Sequence, residues 1–213
     1  MTFNQAGRRF VGAVSFDPDN YENLRDEPSM TVYAVGVVVV CTLLGAIGGL
    51  LWAAFFSAPP PEIYNVDIDH FIRNSVILGS IFQIALWFFW VGITWFYLNQ
   101  IYRLPNVSFP GLVRTMGFAF APMAIQFLLF LPVLEFPIGI IAVGGTVACS
   151  VIAARAASGA TLSQALIATM AGFIVFALAL GMLGTSDADL APGIFALDPN
   201  SISIALELKR AGS

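Results

Sequence analysis

Charge is what this chain has least of. Lys and Arg number 9 and Asp and Glu 13 among 213 residues, 10% in all, against about 25% in a typical soluble domain. A net charge of −4 offers no basic surface for nucleic acid, and long runs of like charge do not occur. Histidine is nearly absent too: His70 stands alone, and one histidine cannot build the protein ligand set of a catalytic zinc. The two cysteines, Cys41 and Cys149, both fall within apolar runs and read as small packing residues rather than a disulfide or metal pair. GxSxG, HExxH, P-loop and GxGxxG contexts are missing, and no Ser, Cys or Lys has an evident activating partner, so an enzyme is not expected. The opening MTFNQAGRRFVGAVSF has two arginines but no apolar core followed by a small-residue cleavage site, and is not expected to be a removable signal peptide.

Apolar residues fill the space that charge leaves. They make up 58% of the chain, and mean hydropathy is +0.85, values of an integral membrane protein. Five apolar segments approach the roughly 20 residues that cross a bilayer: 32–56, 72–98, 112–131, 137–156 and 163–183. The expected fold is therefore all-α, with a transmembrane domain over 32–183, an N-terminal segment over 1–31 and a C-terminal tail over 184–213. Arg8, Arg9, Arg25, Arg103, Arg114 and Arg155 fall on one side of such a bundle, whereas Arg73, Lys209 and Arg210 fall on the other. Basic loops stay inside, which predicts a cytoplasmic N-terminus and an extracytoplasmic C-terminus.

The third segment contains an oddity. Pro122 sits well inside it, removing an amide donor and pressing on the Phe118 carbonyl, so that helix should kink. Carbonyls freed in a membrane need partners from the protein, and Thr115, Thr146 and Gln126 are candidates. Pro132 and Pro137 bracket a tight hairpin between the third and fourth helices, with Pro137 suited to the first helical position and Glu135 to the positive end of that helix's dipole. Small residues mark expected helix-packing faces: Gly45 with Gly49, Gly117 with Ala121, Gly144, Gly145 and Ala148, and Ala177 with Gly181. Gln83, Gln126 and Thr146 are the notable polar groups at mid-span, and no charged residue stands there, which weighs against a proton-coupled transporter.

Aromatics concentrate in the second segment. Trp95, Tyr97 and Tyr102 suit a membrane-interface belt, while Trp87, Phe88, Phe89 and Trp90 lie deeper. The deeper band fits a lipid-facing anchor or contact with a pigment, a quinone or a partner helix. His70 reads as an interfacial residue near Asp67, Asp69 and Arg73, or as a lone ligand to a heme or chlorin. Glu62, Asp67 and Asp69 read as a solvated acidic loop or an external cation site. At the ends, Phe3, Phe10 and Val14 can share the apolar face of an interfacial helix, Asp17 and Pro18 can start a second one, Ser29 can cap the first span, and the alternation over Ile202–Leu208 can form a strand or strap.

Three stretches in order, DPDNYENLRDEPSMTVYAVGVVVVCTLLGAIGG, FPGLVRTMGFAFAPMAIQFLLFLPV and VIAARAASGATLSQALIATMAGFIV, resemble the bacterial branch of the Ypt-interacting protein (Yip) domain family. The resemblance covers about residues 16–183 and is most specific from Leu112 to Pro122 and in AARAASGATLSQAL. It implies a five-helix protein of a bacterial plasma membrane with a cytoplasmic N-terminus, associated with other membrane proteins. Eukaryotic relatives serve Rab-type GTPases and vesicle traffic, but their cytoplasmic Tyr-Gly-Pro type motif is not evident in this chain, and GTPase binding is not carried over. The expected function is a noncatalytic scaffold or accessory subunit packed against a larger membrane assembly, with an energy-transducing or pigment-bearing complex as one form such an assembly takes. The alternatives are a membrane-organising or trafficking protein, and a small-solute channel or transporter built on the Pro122 kink. No obligatory cofactor is expected; a lipid, quinone or pigment is the class of ligand such a surface would take.

Overall fold

A computed structural model describes residues 18–56, 68–105, 107–131, 134–184 and 190–196. Among these residues every regular element is helical, and five helices are long and apolar enough to cross a membrane. They follow a short helix α1 (Pro18–Arg25): α2 (Met30–Phe56), α3 (Ile68–Ile101), α4 (Phe109–Phe130), α5 (Glu135–Ser158) and α6 (Leu162–Gly184). A 3-10 turn at Gly193–Ala196 completes the described chain. Each span begins and ends within a few residues of its hydropathy boundary.

Local chemistry sets those ends. Helix α1 opens on Pro18, whose fixed φ suits a first turn, and carries Asp19 early and Arg25 late, matching its dipole. The end of α3 is a left-handed turn: Arg103 takes φ 53°, and the Leu104 amide returns to the Leu98 carbonyl at 3.1 Å. Ser108 caps α4 by accepting the Gly111 amide at 3.2 Å, with Pro110 in the first turn. Gly159, at φ 66°, stops α5 with its amide on the Arg155 carbonyl at 2.9 Å. Thr161 and Gln164 then cap α6 reciprocally: the Thr161 amide donates to Gln164 Oε1 at 3.0 Å and the Gln164 amide to Thr161 Oγ1 at 3.4 Å. Met30 is the first residue of α2, which puts Ser29 at the cap position. Pro137 is the third residue of α5 rather than the first, still within the turn whose amides need no helical partner.

Helix α4 is the centre of the bundle. Every residue from Gly111 to Met123 is buried, and 78% of its apolar window is enclosed by protein, against 28% for α6. Helices α2, α3 and α5 pack around it, and α6 lies outside, against α3 and α5. Short connections make the spans alternate in direction. One end of the bundle is closed by α1, whose Tyr21 and Leu24 are fully buried against α4 and α5. The other is closed by residues 190–196, which pack on α2, α4, α5 and α6. Residues 190–196, beyond the expected boundary at residue 184, fold back onto the spans. The expectations for Phe3, Phe10, Val14, Asp17, Pro132 and Ile202–Leu208 lie outside the described residues.

Candidate functional site

The winding of α4 changes at its middle. It is α-helical over Phe109–Phe118, turns at Ala119 and Phe120, and continues as a 3-10 helix over Ala121–Phe130. Ten residues is long for a 3-10 helix, whose hydrogen bonds are poorer than those of the α form. Pro122 stands in the first turn of the new winding, where an amide donor is not required. The turn is closed by Phe120 on the Gly117 carbonyl at 3.3 Å and Met123 on the Phe120 carbonyl at 3.0 Å.

Glycine and alanine let neighbours approach this segment closely. A Cβ on Gly117 would lie 2.7 Å from the Ala34 methyl, one on Gly45 2.9 Å from Gln126 Oε1, and one on Gly48 would strike the Gln126 carbonyl. Gly145 sits over the Pro122 ring, where a Cβ would lie 3.2 Å from that of the proline, and Gly49 lies against Gly193. Ala121 is buried, its carbonyl 3.8 Å from the Cys41 thiol. Of the other predicted small residues, Gly144 is exposed and a Cβ there or on Gly181 would meet open space, while Ala177 is half-buried. Gly48 and Gly172 are tight contacts not expected from the sequence; Gly48 was legible in the GAIGG cluster, Gly172 only from the position of Trp90.

The polar side chains expected to bond carbonyls freed by Pro122 are buried, with other partners or none. Gln126 does not reach a carbonyl freed by Pro122; its Oε1 accepts the Ile194 amide at 3.3 Å, and its Nε2 lies 3.3 Å from Met123 Sδ. Thr115 bonds carbonyls of its own helix, Gly111 at 3.2 Å and Leu112 at 3.3 Å. Thr146 is buried with its hydroxyl unpartnered. Gln126 therefore ties the 190–196 segment to the bundle. Ser75 does the same from α3, donating to the Ala191 carbonyl at 2.6 Å, and the Leu190 amide returns to Leu183 at 2.9 Å.

The aromatic band divides by face. Trp87 and Trp90 are buried, at 0% and 1% exposure, which rules out the lipid-facing reading for both. Trp90 donates its indole N–H to the Thr169 carbonyl of α6 at 2.9 Å and packs against Phe173 and Phe176, while Gly172 makes room for its ring. The outward residues are Phe88, Phe89 and Phe96, which with half-buried Trp95 line an apolar groove of about 680 Å³. His70 is half-buried at the start of α3, 3.0 Å from the Asn74 amide nitrogen. Glu62 and Asp67 lie outside the described residues, and among the described residues no group of three metal-ligating side chains occurs.

In α1, Tyr21 is fully buried, and burial, with Cys149 beside it, pushes its phenol far above the ordinary tyrosine range. Next to it, Arg25 bonds Asp26 through two N–H groups at 2.8 and 2.7 Å and holds that carboxyl below its usual range. Arg25 also points Nη1 at the Ala156 carbonyl, 3.5 Å away at the end of α5. These contacts fasten α1 to the bundle. No family model, curated protein or solved structure matches the chain.

Proposed function

We propose that this protein is a noncatalytic scaffold or accessory subunit that packs against a larger membrane protein assembly, as a member of the bacterial branch of the Yip domain family. The observation that carries this reading is the division of labour between inward and outward faces. Gln126, Trp90 and Ser75 are used within the chain, holding α4, α6 and the 190–196 segment in place. The outer faces of α5 and α6 present large aliphatic side chains, among them Ile140, Ile141, Ile167, Ile174 and Leu178, interrupted by the exposed small residues Gly144 and Ala148. Such a face suits both lipid and a partner helix. The groove beside Trp95 offers an apolar ring ligand, a quinone or a pigment, an aromatic wall on the same outer surface.

The Pro122 kink and the α4–α5 hairpin belong to this reading as shaping devices. They support a rigid centre on which the outer helices are displayed. For orientation, Arg25, Arg103, Arg114 and Arg155 gather at the α1 end of the bundle and Arg73 at the other, which supports a cytoplasmic N-terminus and a place in the plasma membrane.

Mild-detergent extraction of the tagged chain, followed by native mass spectrometry and an absorption spectrum, tests the proposal. A complex of fixed stoichiometry with other integral membrane proteins is the expected result. A colourless protein free of partners under conditions that preserve other membrane assemblies would overturn it.

A further inference from the structure

Between α5 and α6 the outer surface carries a groove of about 530 Å³ lined by Val143, Gly144, Val147, Ala148, Leu166 and Phe173. Toward the α1 end it adjoins a second pocket of about 310 Å³, and Ile152 lines both. The two differ in chemistry. The first is apolar throughout, whereas the second is flanked by Glu22 of α1 and Arg155 of α5, beside the Gly159–Ala160 turn. Glu22 and Arg155 are both exposed. Among the described residues neither side chain is held in a hydrogen bond or ion pair, and Glu22 interacts with Arg25 only at longer range.

The dimensions match one leaflet. From Gly144 to Arg155 the helix rises about 16 Å, close to half of the roughly 30 Å hydrocarbon core. The charged pocket then falls at headgroup level, on the end of the bundle where Arg25 and Arg103 also lie. Gly144 and Ala148 keep the floor of the groove low, because a Cβ on Gly144 would meet nothing within 4 Å.

We propose that this composite groove binds one phospholipid with a zwitterionic, primary-amine headgroup, of the phosphatidylethanolamine class. One acyl chain lies along α5 and α6, the phosphate meets the Arg155 guanidinium, and the ammonium donates to the Glu22 carboxylate. Charge complementarity selects this occupant. An anionic lipid without an amine would place its negative charge beside Glu22, and a quaternary amine would have no N–H to donate. A free phosphate would leave the apolar groove unfilled.

The test is competitive lipid retention by the full chain. Protein in mixed micelles containing equal amounts of phosphatidylethanolamine, phosphatidylcholine and phosphatidylglycerol is delipidated stepwise, and bound lipid is counted by native mass spectrometry. Phosphatidylethanolamine should be retained up to about fivefold over the other two, the upper end of what one exposed charge interaction supplies. Glu22→Gln should abolish its advantage over phosphatidylcholine, and Arg155→Gln should lower retention of all three. Ala148→Phe, at an exposed position, should block retention without unfolding the protein. Equal retention of the three lipids by the unaltered chain would overturn the proposal, as would a phosphatidylethanolamine preference that survives both charge substitutions. A preference for phosphatidylglycerol would overturn it as well, since Arg155 alone would then govern binding.

Discussion

The carboxamide oxygen of Gln126, in the 3-10 half of α4, accepts the backbone amide of Ile194 at 3.3 Å. One buried side chain near the end of α4 thus closes the bundle at the end opposite α1. Gln126 is 3% exposed and Ile194 half-buried, and Gly45 and Gly193 leave the space that the carboxamide fills.

Gln126→Leu should leave the Ile194 amide without its partner. The loss is about 1–3 kcal/mol, the desolvation cost of a buried donor left unbonded. Thermal unfolding in detergent should show the drop, and amide exchange at Ile194 should accelerate while exchange in α6 does not. Protection at Ile194 that is unchanged would show that the bond contributes nothing.

Glycines that look alike in the sequence should separate by location. Gly172→Ala places a methyl against the Trp90 ring and 2.7 Å from its carbonyl, forcing α3 and α6 apart at a cost of about 1–3 kcal/mol. Gly181→Ala meets open space and should be neutral or stabilising by up to about 1 kcal/mol, since alanine is the better helix former. Melting temperatures of the two variants, with tryptophan emission reporting on Trp90, decide the matter.

Pro122→Leu returns an amide donor to α4 but drives a branched side chain toward Gly145, where even a single added Cβ would lie 3.2 Å from the proline ring. The expected result is overpacking worth about 1–3 kcal/mol and continued α winding past Phe118. Amide exchange through residues 119–124 checks the winding. If assembly with partners depends on the shape of α4, it should weaken in parallel.

Tyr21 makes stability pH-dependent in alkali. Its folded pKa is raised above the unfolded value of about 10, so the stabilisation is fully present below that pH and is lost as pH rises beyond it. Tyr21→Phe should flatten the decline of melting temperature over that range. Asp26 works in the opposite direction: its pKa is lowered chiefly by the hydrogen bond from Arg25, so its contribution is present above the unfolded value and fades as pH falls through the folded one. Asp26→Asn should remove this one contribution to the acid-side dependence.

Sequence alone determined the five spans, because about 20 apolar residues in a row satisfy a bilayer whatever their neighbours do. It also marked the starts at Pro18 and Ser29, where capping is a matter of a few adjacent residues. Which face of a span looks inward was beyond it. Helices apolar all round carry almost no directional signal, so Trp87 and Trp90 could not be told from Phe88 and Phe89, nor Gly145 from Gly144. The role of Gln126 was equally hidden, since its partner Ile194 lies 68 residues away in a segment that reads as tail. Tertiary packing decided those assignments, because they depend on where separate helices cross, and hydropathy along one helix says nothing about its neighbours.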